Sequence, residues 1–169
     1  MTRARALLGV EGAIDAVRLN TLNNVSDSVV IFGGYAHNES DDFFNRKREL
    51  YNQLFSSLKQ RRNKIVLIYP IPSTDVGRRS FQFEYAFLGR LRTKSPSFSE
   101  FQTASAAAYD FYDSLGGEEI VRIYPSQFLC DDRNCYGVRD GEILISDDDH
   151  PSARTAAWIV DAIFKNLEW

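Results

Sequence analysis

Histidine and cysteine are scarce. The 169 residues hold two of each, His37 and His150, Cys130 and Cys135. A zinc site built on the cysteine pair would need both histidines as its remaining ligands. No stretch approaches the roughly 18 apolar residues that a bilayer-spanning helix requires, so direct membrane insertion is not expected. Charge is nearly balanced, 20 basic against 23 acidic residues for a net of -3, which gives no reason to expect nucleic acid or an anionic membrane as partner. The nearest thing to a basic patch, Lys59, Arg61, Arg62 and Lys64, falls at an expected helix end, where cations favour the dipole. The N-terminus starts with Arg3 and Arg5, but Glu11 and Asp15 interrupt the apolar region that a signal peptide needs. The chain is therefore expected to carry no export signal of its own.

What is present is core material. With 44% hydrophobic and 13% aromatic residues, one domain of this length can bury roughly 70% of its unfolded surface. Leu7, Leu8, Ala13, Ile14, Val17, Leu19 and Leu22 predict a helix over residues 5–24. The continuous apolar run Val29-Val30-Ile31-Phe32, closed by Gly33-Gly34, predicts a strand buried on both faces. A helix of about twenty residues should follow a cap at Ser40 or Asp41, burying Phe43, Phe44, Leu50, Leu54, Phe55 and Leu58 and ending at Asn63. Ile65–Tyr69 reads as a second buried strand, stopped by Pro70-Ile71-Pro72. Helices are expected at 80–91 and 99–115, then a strand at 119–124 and a short extended arm at 141–145. A last helix from Pro151 to Leu167 has Ala156, Ile159, Val160, Ile163 and Leu167 as its stripe, with Pro151 in the first turn. This alternation is βαβ grammar: one three-layer α/β domain with a parallel sheet.

Two short segments carry chemistry. Cys130-Asp-Asp-Arg-Asn-Cys135 can close a small disulfide loop, with Cα atoms roughly 4.4–6.8 Å apart, which would imply an oxidising compartment. Free thiols, or metal ligation with His37 and His150, are the alternatives. Ser146-Asp147-Asp148-Asp149-His150-Pro151-Ser152 places three acids directly before a histidine at a helix entry. In Asp-x-x-His one turn can fold Asp147 back onto the His150 ring, the arrangement a histidine general base needs. Acids at a helix start also stabilise it by capping and the dipole, and clustered carboxylates can hold calcium.

The ordered set Cys130, Cys135, Asp140-Gly141, Asp147-x-x-His150-Pro151-Ser152 and Ala156 resembles the end of the SGNH domains fused to acyltransferase-3 membrane proteins. Val29–Gly34 and Ile65–Pro72 resemble that family's central strands, so the likeness covers most of residues 25–160. It implies a flavodoxin-like fold of strand order 2-1-3-4-5 acting on an O-acyl ester, without a cofactor and without a metal. It implies His150 as catalytic base and Asp147 as its orienting acid; Asp149 is the weaker alternative. The departures are Pro151 where Leu is usual, Thr155 where Gly is usual, and a missing Gly-Asp-Ser block, which supplies the family's nucleophile. Asp27-Ser28 precedes a strand rather than following one, so Ser28 is not expected to substitute. Gly33, Gly34 and Asn38 could offer oxyanion donors, although no Gly-x-Asn-Asp is present and a plain turn is the competing reading.

The expectation is therefore a single SGNH-like domain over 1–169, apparently truncated at its N-terminus and lacking its first strands. Its partners would be an acyl donor or acylated cell-envelope saccharide and a membrane acyltransferase domain of the parent protein. It would work in the periplasm or otherwise outside the cytoplasm, and alone it would show no esterase activity. The rival is a non-catalytic α/β module that binds a saccharide or protein partner.

Overall fold

The computed structural model describes residues 26–33, 41–72, 96–117, 119–146 and 150–167. The helices expected at 5–24 and 80–91 lie outside these residues. The chain runs β1 (Val29–Phe32), α1 (Asp41–Gln60), β2 (Lys64–Ile68), α2 (Phe98–Asp113), β3 (Val121–Ile123), α3 (Ser126–Leu129), β4 (Val138–Arg139), β5 (Glu142–Ile143) and α4 (Ala153–Asn166). Among the described residues the main sheet is parallel in the order β1-β2-β3, with Val30 opposite Ile65 and Val66 opposite Val121. That order agrees with the last three strands of a 2-1-3-4-5 sheet.

Alternation along the strands divides the core into two layers. Val30, Ile65, Leu67 and Tyr69 face α1 and α2 and meet Phe44, Phe55, Phe111, Tyr112 and Leu115. Val66 and Ile123 face the other way, onto Ile159, Ile163 and Leu167, with Val29, Ile68 and Val121 packed alongside. Helices thus cover both faces of the sheet, the three-layer architecture that the sequence predicts.

Local chemistry fixes the element ends. Asn63, expected only to break α1, is itself buried; its side chain accepts from Ser28 N at 3.1 Å and donates to Leu58 O at 3.1 Å. One amide thus ties the end of α1 to the start of β1. Ser97 and Glu100 form a reciprocal capping box at α2. Past α2, Gly116 adopts φ 71°, and a Cβ there would lie 1.9 Å from Ile120 Cδ1. Arg122, from β3, reaches back into this turn and donates to the carbonyls of Leu115, Gly117 and Ile120 at 2.9, 3.4 and 3.3 Å. The extended arm expected at 141–145 is half of a hairpin: β4 and β5 are antiparallel, joined by Asp140-Gly141 with φ 52° and 82°. Positive φ at both central residues is the twist-matched two-residue turn.

Three expectations change. Strand β3 is only Val121–Ile123, because Arg122 and the Gly116 turn draw the preceding residues into the loop. Pro151 stands outside α4, bridged to Ile145, because the side chain of Ser152 caps the helix by accepting from Thr155 N. Val160 is 48% exposed rather than part of the buried stripe, since α4 packs on the sheet through Ile159 and Ile163, with Trp158 and Ala162 beside them, and Val160 lies off that side.

Candidate active site

Open α/β sheets bind ligands beyond the carboxyl ends of their strands, and the His150 segment comes to that edge. Ile71, just past the end of β2, packs against Leu129, Leu144 and Ile145. Leu144 N and Ile145 N both donate to Gly137 O, at 2.8 and 3.1 Å. From Ile145 the chain enters a loop closed by Ser146 N donating to His150 O at 2.8 Å, and Ile145 bridges Pro151 beyond it. Ser152 N and Thr155 Oγ1 both donate to Leu144 O, at 2.9 and 2.6 Å. The ends of the loop are thus fastened to one another and to the first turn of α4, leaving His150 exposed at the mouth of the helix.

Thr155 explains its own departure from the family pattern. A glycine has no hydroxyl to reach Leu144 O, whereas Thr155 is fully buried and makes that bond. Asp147 and Asp149 lie outside the described residues, so the expected contact between Asp147 and the His150 ring lies there too. Gly33 follows β1 closely packed on β2, where a Cβ would sit 3.1 Å from Ile68 Cβ. That contact accounts for the glycine by close approach of the two strands. Gly34, His37 and Asn38 lie outside the described residues. Ser28 is at the amino end of β1, with its hydroxyl bonded to Ser26 O at 2.9 Å, on the edge opposite His150.

Cys130 and Cys135 are joined by a disulfide, with Cα atoms 3.9 Å apart. The spacing is shorter than the range expected from sequence, and the two residues face each other as an antiparallel bridge. The loop between them is braced by Asp131, whose carboxylate accepts from the Tyr136 hydroxyl and from Arg133 N and Asn134 N. The Tyr136 hydroxyl foremost, then the two amides, holds the Asp131 carboxyl down to about 2. The same loop pairs with the entry to α2, through Phe98 N to Arg133 O at 2.8 Å and Cys135 N to Pro96 O at 3.0 Å. The bridge therefore anchors one wall of the cluster on which the His150 loop rests.

A tyrosine group at the same edge escaped sequence reasoning. Tyr69 and Tyr124 leave β2 and β3 at matching places, each directly before a proline, and their rings lie 4.3 Å apart. The Tyr69 hydroxyl donates to Asp113, and Tyr109 lies 3.4 Å from Ser126 Oγ. Burial first, then the Asp113 hydrogen bond, pushes the Tyr69 phenol far above its ordinary range, so it stays a neutral donor. The repeated Tyr-Pro at the two strand exits was the available signal. Among the described residues no group of three or more acidic, histidine or cysteine side chains could hold a metal ion, and no helix is long and apolar enough to cross a membrane.

Comparison with known proteins bears on the whole arrangement. The structure is similar to the periplasmic domain of a lipopolysaccharide acetyltransferase from Salmonella ser. Paratyphi A, with a TM-score of 0.57 and 16% sequence identity. The match covers 92% of this chain and 62% of that one, so the chain spans under two thirds of that domain's length. At this identity the likeness speaks for the fold, an α/β sheet with helices on both faces. No curated protein sequence matches. The model of one family, described as the SGNH domain fused to AT3 domains, matches residues 11–165. The chain belongs to that family of SGNH domains.

Proposed function

We propose that this chain is the histidine-bearing part of an SGNH unit that transfers or hydrolyses O-acyl groups on an extracytoplasmic saccharide, in partnership with a membrane acyltransferase domain. The family's fusion to AT3 domains supports the partnership. The likeness to the periplasmic domain of a lipopolysaccharide acetyltransferase supports the compartment and the saccharide class. In this reading His150 takes the proton from an attacking serine hydroxyl. Asp147 orients the ring and stabilises the imidazolium. The serine oxygen bonds to the acyl carbon, the saccharide oxygen leaves with the proton from His150, and backbone amides near Gly33, Gly34 and Asn38 hold the developing oxyanion. Water or a second hydroxyl then accepts the acyl group.

The observation that carries the reading is the position of His150, exposed on a loop fastened at both ends beside the carboxyl edge of the sheet. A merely capping segment would not need such a double clamp. The test is a proton titration of the His150 ring by NMR. With Asp147 as partner, the ring pKa should fall by about one unit or more in Asp147→Asn, since an adjacent carboxylate favours the charged imidazolium. An unchanged value would remove Asp147 from the role. The chain alone should not turn over p-nitrophenyl acetate; turnover abolished by His150→Ala would locate a nucleophile within these residues.

A further inference from the structure

We propose that Thr155 is a positioning residue for His150: its hydroxyl, through the carbonyl of Leu144, sets where the imidazole stands. A histidine that removes a proton must be held within about 0.5 Å of its working position. His150 is exposed, so burial does little to hold its ring, and the task falls largely to the backbone beneath it. That backbone is one half of an antiparallel bridge. Ile145 and Pro151 are the bridged pair, and the two hydrogen bonds run between their neighbours. Ser146 N donates to His150 O at 2.8 Å, and Ser152 N to Leu144 O at 2.9 Å. Neither bond uses the nitrogen at position 151, so the bridge accepts a proline there. Whatever steadies the bridge therefore steadies His150.

The bridge is steadied from α4. A threonine in a helix commonly turns its hydroxyl back to the carbonyl three or four residues earlier. For Thr155 those are Ser152 O, which accepts from Ala156 N at 2.8 Å, and Pro151 O, which accepts from Ser146 Oγ at 3.4 Å. The Thr155 hydroxyl instead reaches eleven residues back, to Leu144 O at 2.6 Å. Leu144 O thus accepts twice, from the cap residue and from the first turn of the helix, which occupies both its lone pairs. On the hairpin side Leu144 N donates to Gly137 O at 2.8 Å. Thr155 is fully buried, so water does not compete for the bond. Without the hydroxyl, Leu144 O keeps Ser152 N, so the helix keeps its cap while the bridge gains freedom to rock. The glycine usual in the family carries no such restraint, so the bond is particular to this chain. That the ring acts as a base rests on the function proposed above; that Thr155 holds the ring does not.

Thr155→Val keeps the shape of the side chain and removes the hydroxyl. In the 169-residue chain this change should speed hydrogen exchange at Ser146 N at least tenfold. Exchange at Tyr69 N, which bonds to Ile123 O across the sheet, should stay unchanged. The NMR signals of the His150 ring should move, and those of His37 should not. Thr155→Ser, which keeps the hydroxyl, should restore both the exchange rate and the ring signals. A valine variant with Ser146 exchange and His150 signals like those of the parent overturns the inference. So does a serine variant that fails to restore them. So does a valine variant that unfolds or quickens exchange equally at Tyr69, because the hydroxyl would then support the whole domain. If Asp147→Asn leaves the ring pKa unmoved while Thr155→Val still frees the loop, the catalytic reading fails and the positioning stands.

Discussion

Val30 and Ile31 are neighbours on one strand and equally apolar, yet Val30 is 7% exposed and Ile31 53%. They face different layers. On the α1 and α2 side the sheet meets a closed aromatic core in which Phe44 stacks on Phe111 at 5.1 Å and Tyr51 meets Phe111 edge-on at 5.5 Å. On the α4 side the core is aliphatic and reaches only part-way across the sheet. A continuous apolar strand announces burial on both faces; the structure supplies the full cover on one. The strand's own residues set how much apolar surface it offers, and its neighbours set how much of that surface leaves water.

The contrast can be broken most severely at Phe111. Truncating it, Phe111→Ala, removes the ring shared by α1 and α2 and should cost about 3–5 kcal/mol, whereas Ile31→Ala should stay within about 0.5 kcal/mol. Denaturant unfolding of both variants measures the difference, and equal losses would mean that the α4 side is as well packed as the other. Next in size is the disulfide. Cys130→Ser with Cys135→Ser should lower stability by about 2 kcal/mol on chain-entropy grounds for so short a loop, read as a shift in the unfolding midpoint without reductant. Asn63→Ala should cost about 1–2 kcal/mol by stranding Ser28 N where α1 meets β1, with faster hydrogen exchange at Ser28 as the local sign.

The smallest effect is a pH dependence that belongs to neither face. Asp131 has a folded pKa of about 2, below the ordinary 3.8. Its contribution is therefore present above the unfolded value and is lost as pH falls towards 2. Unfolding midpoints followed from about pH 4 down to about pH 2 should decline less steeply in Asp131→Asn than in the parent chain, and parallel curves would exclude the Tyr136–Asp131 contact as the cause.

Much of the fold was legible because periodicity and punctuation agreed. The Val29–Phe32 strand and the twenty-residue helix after it are where the apolar run and the 3.6-residue pattern placed them. What escaped was long-range. Nothing local marks Asn63 as a buried link to Ser28, thirty-five residues away, nor Arg122 as the residue that shortens β3. Val160 has the spacing of a core residue, and only the position of α4 over the sheet exposes it. At the candidate site, His150 was legible through its motif, while the clamp that holds its loop was not. The hydroxyl of Thr155 reads as a departure from the family until its bond to Leu144 O is seen.

Arg122 has a consequence for how this chain can vary. One planar guanidinium on β3 gathers three carbonyls from the turn before it, so the shape of that turn is written in a residue outside it. From within, the turn is held by the positive φ of Gly116 and the burial of Leu115 and Ile120; from outside, the arginine holds its carbonyls. Lysine, a point charge without the rigid fork, could not hold three acceptors in those directions. Part of the turn's constraint is thus carried one element downstream, where a reading of the turn alone would miss it.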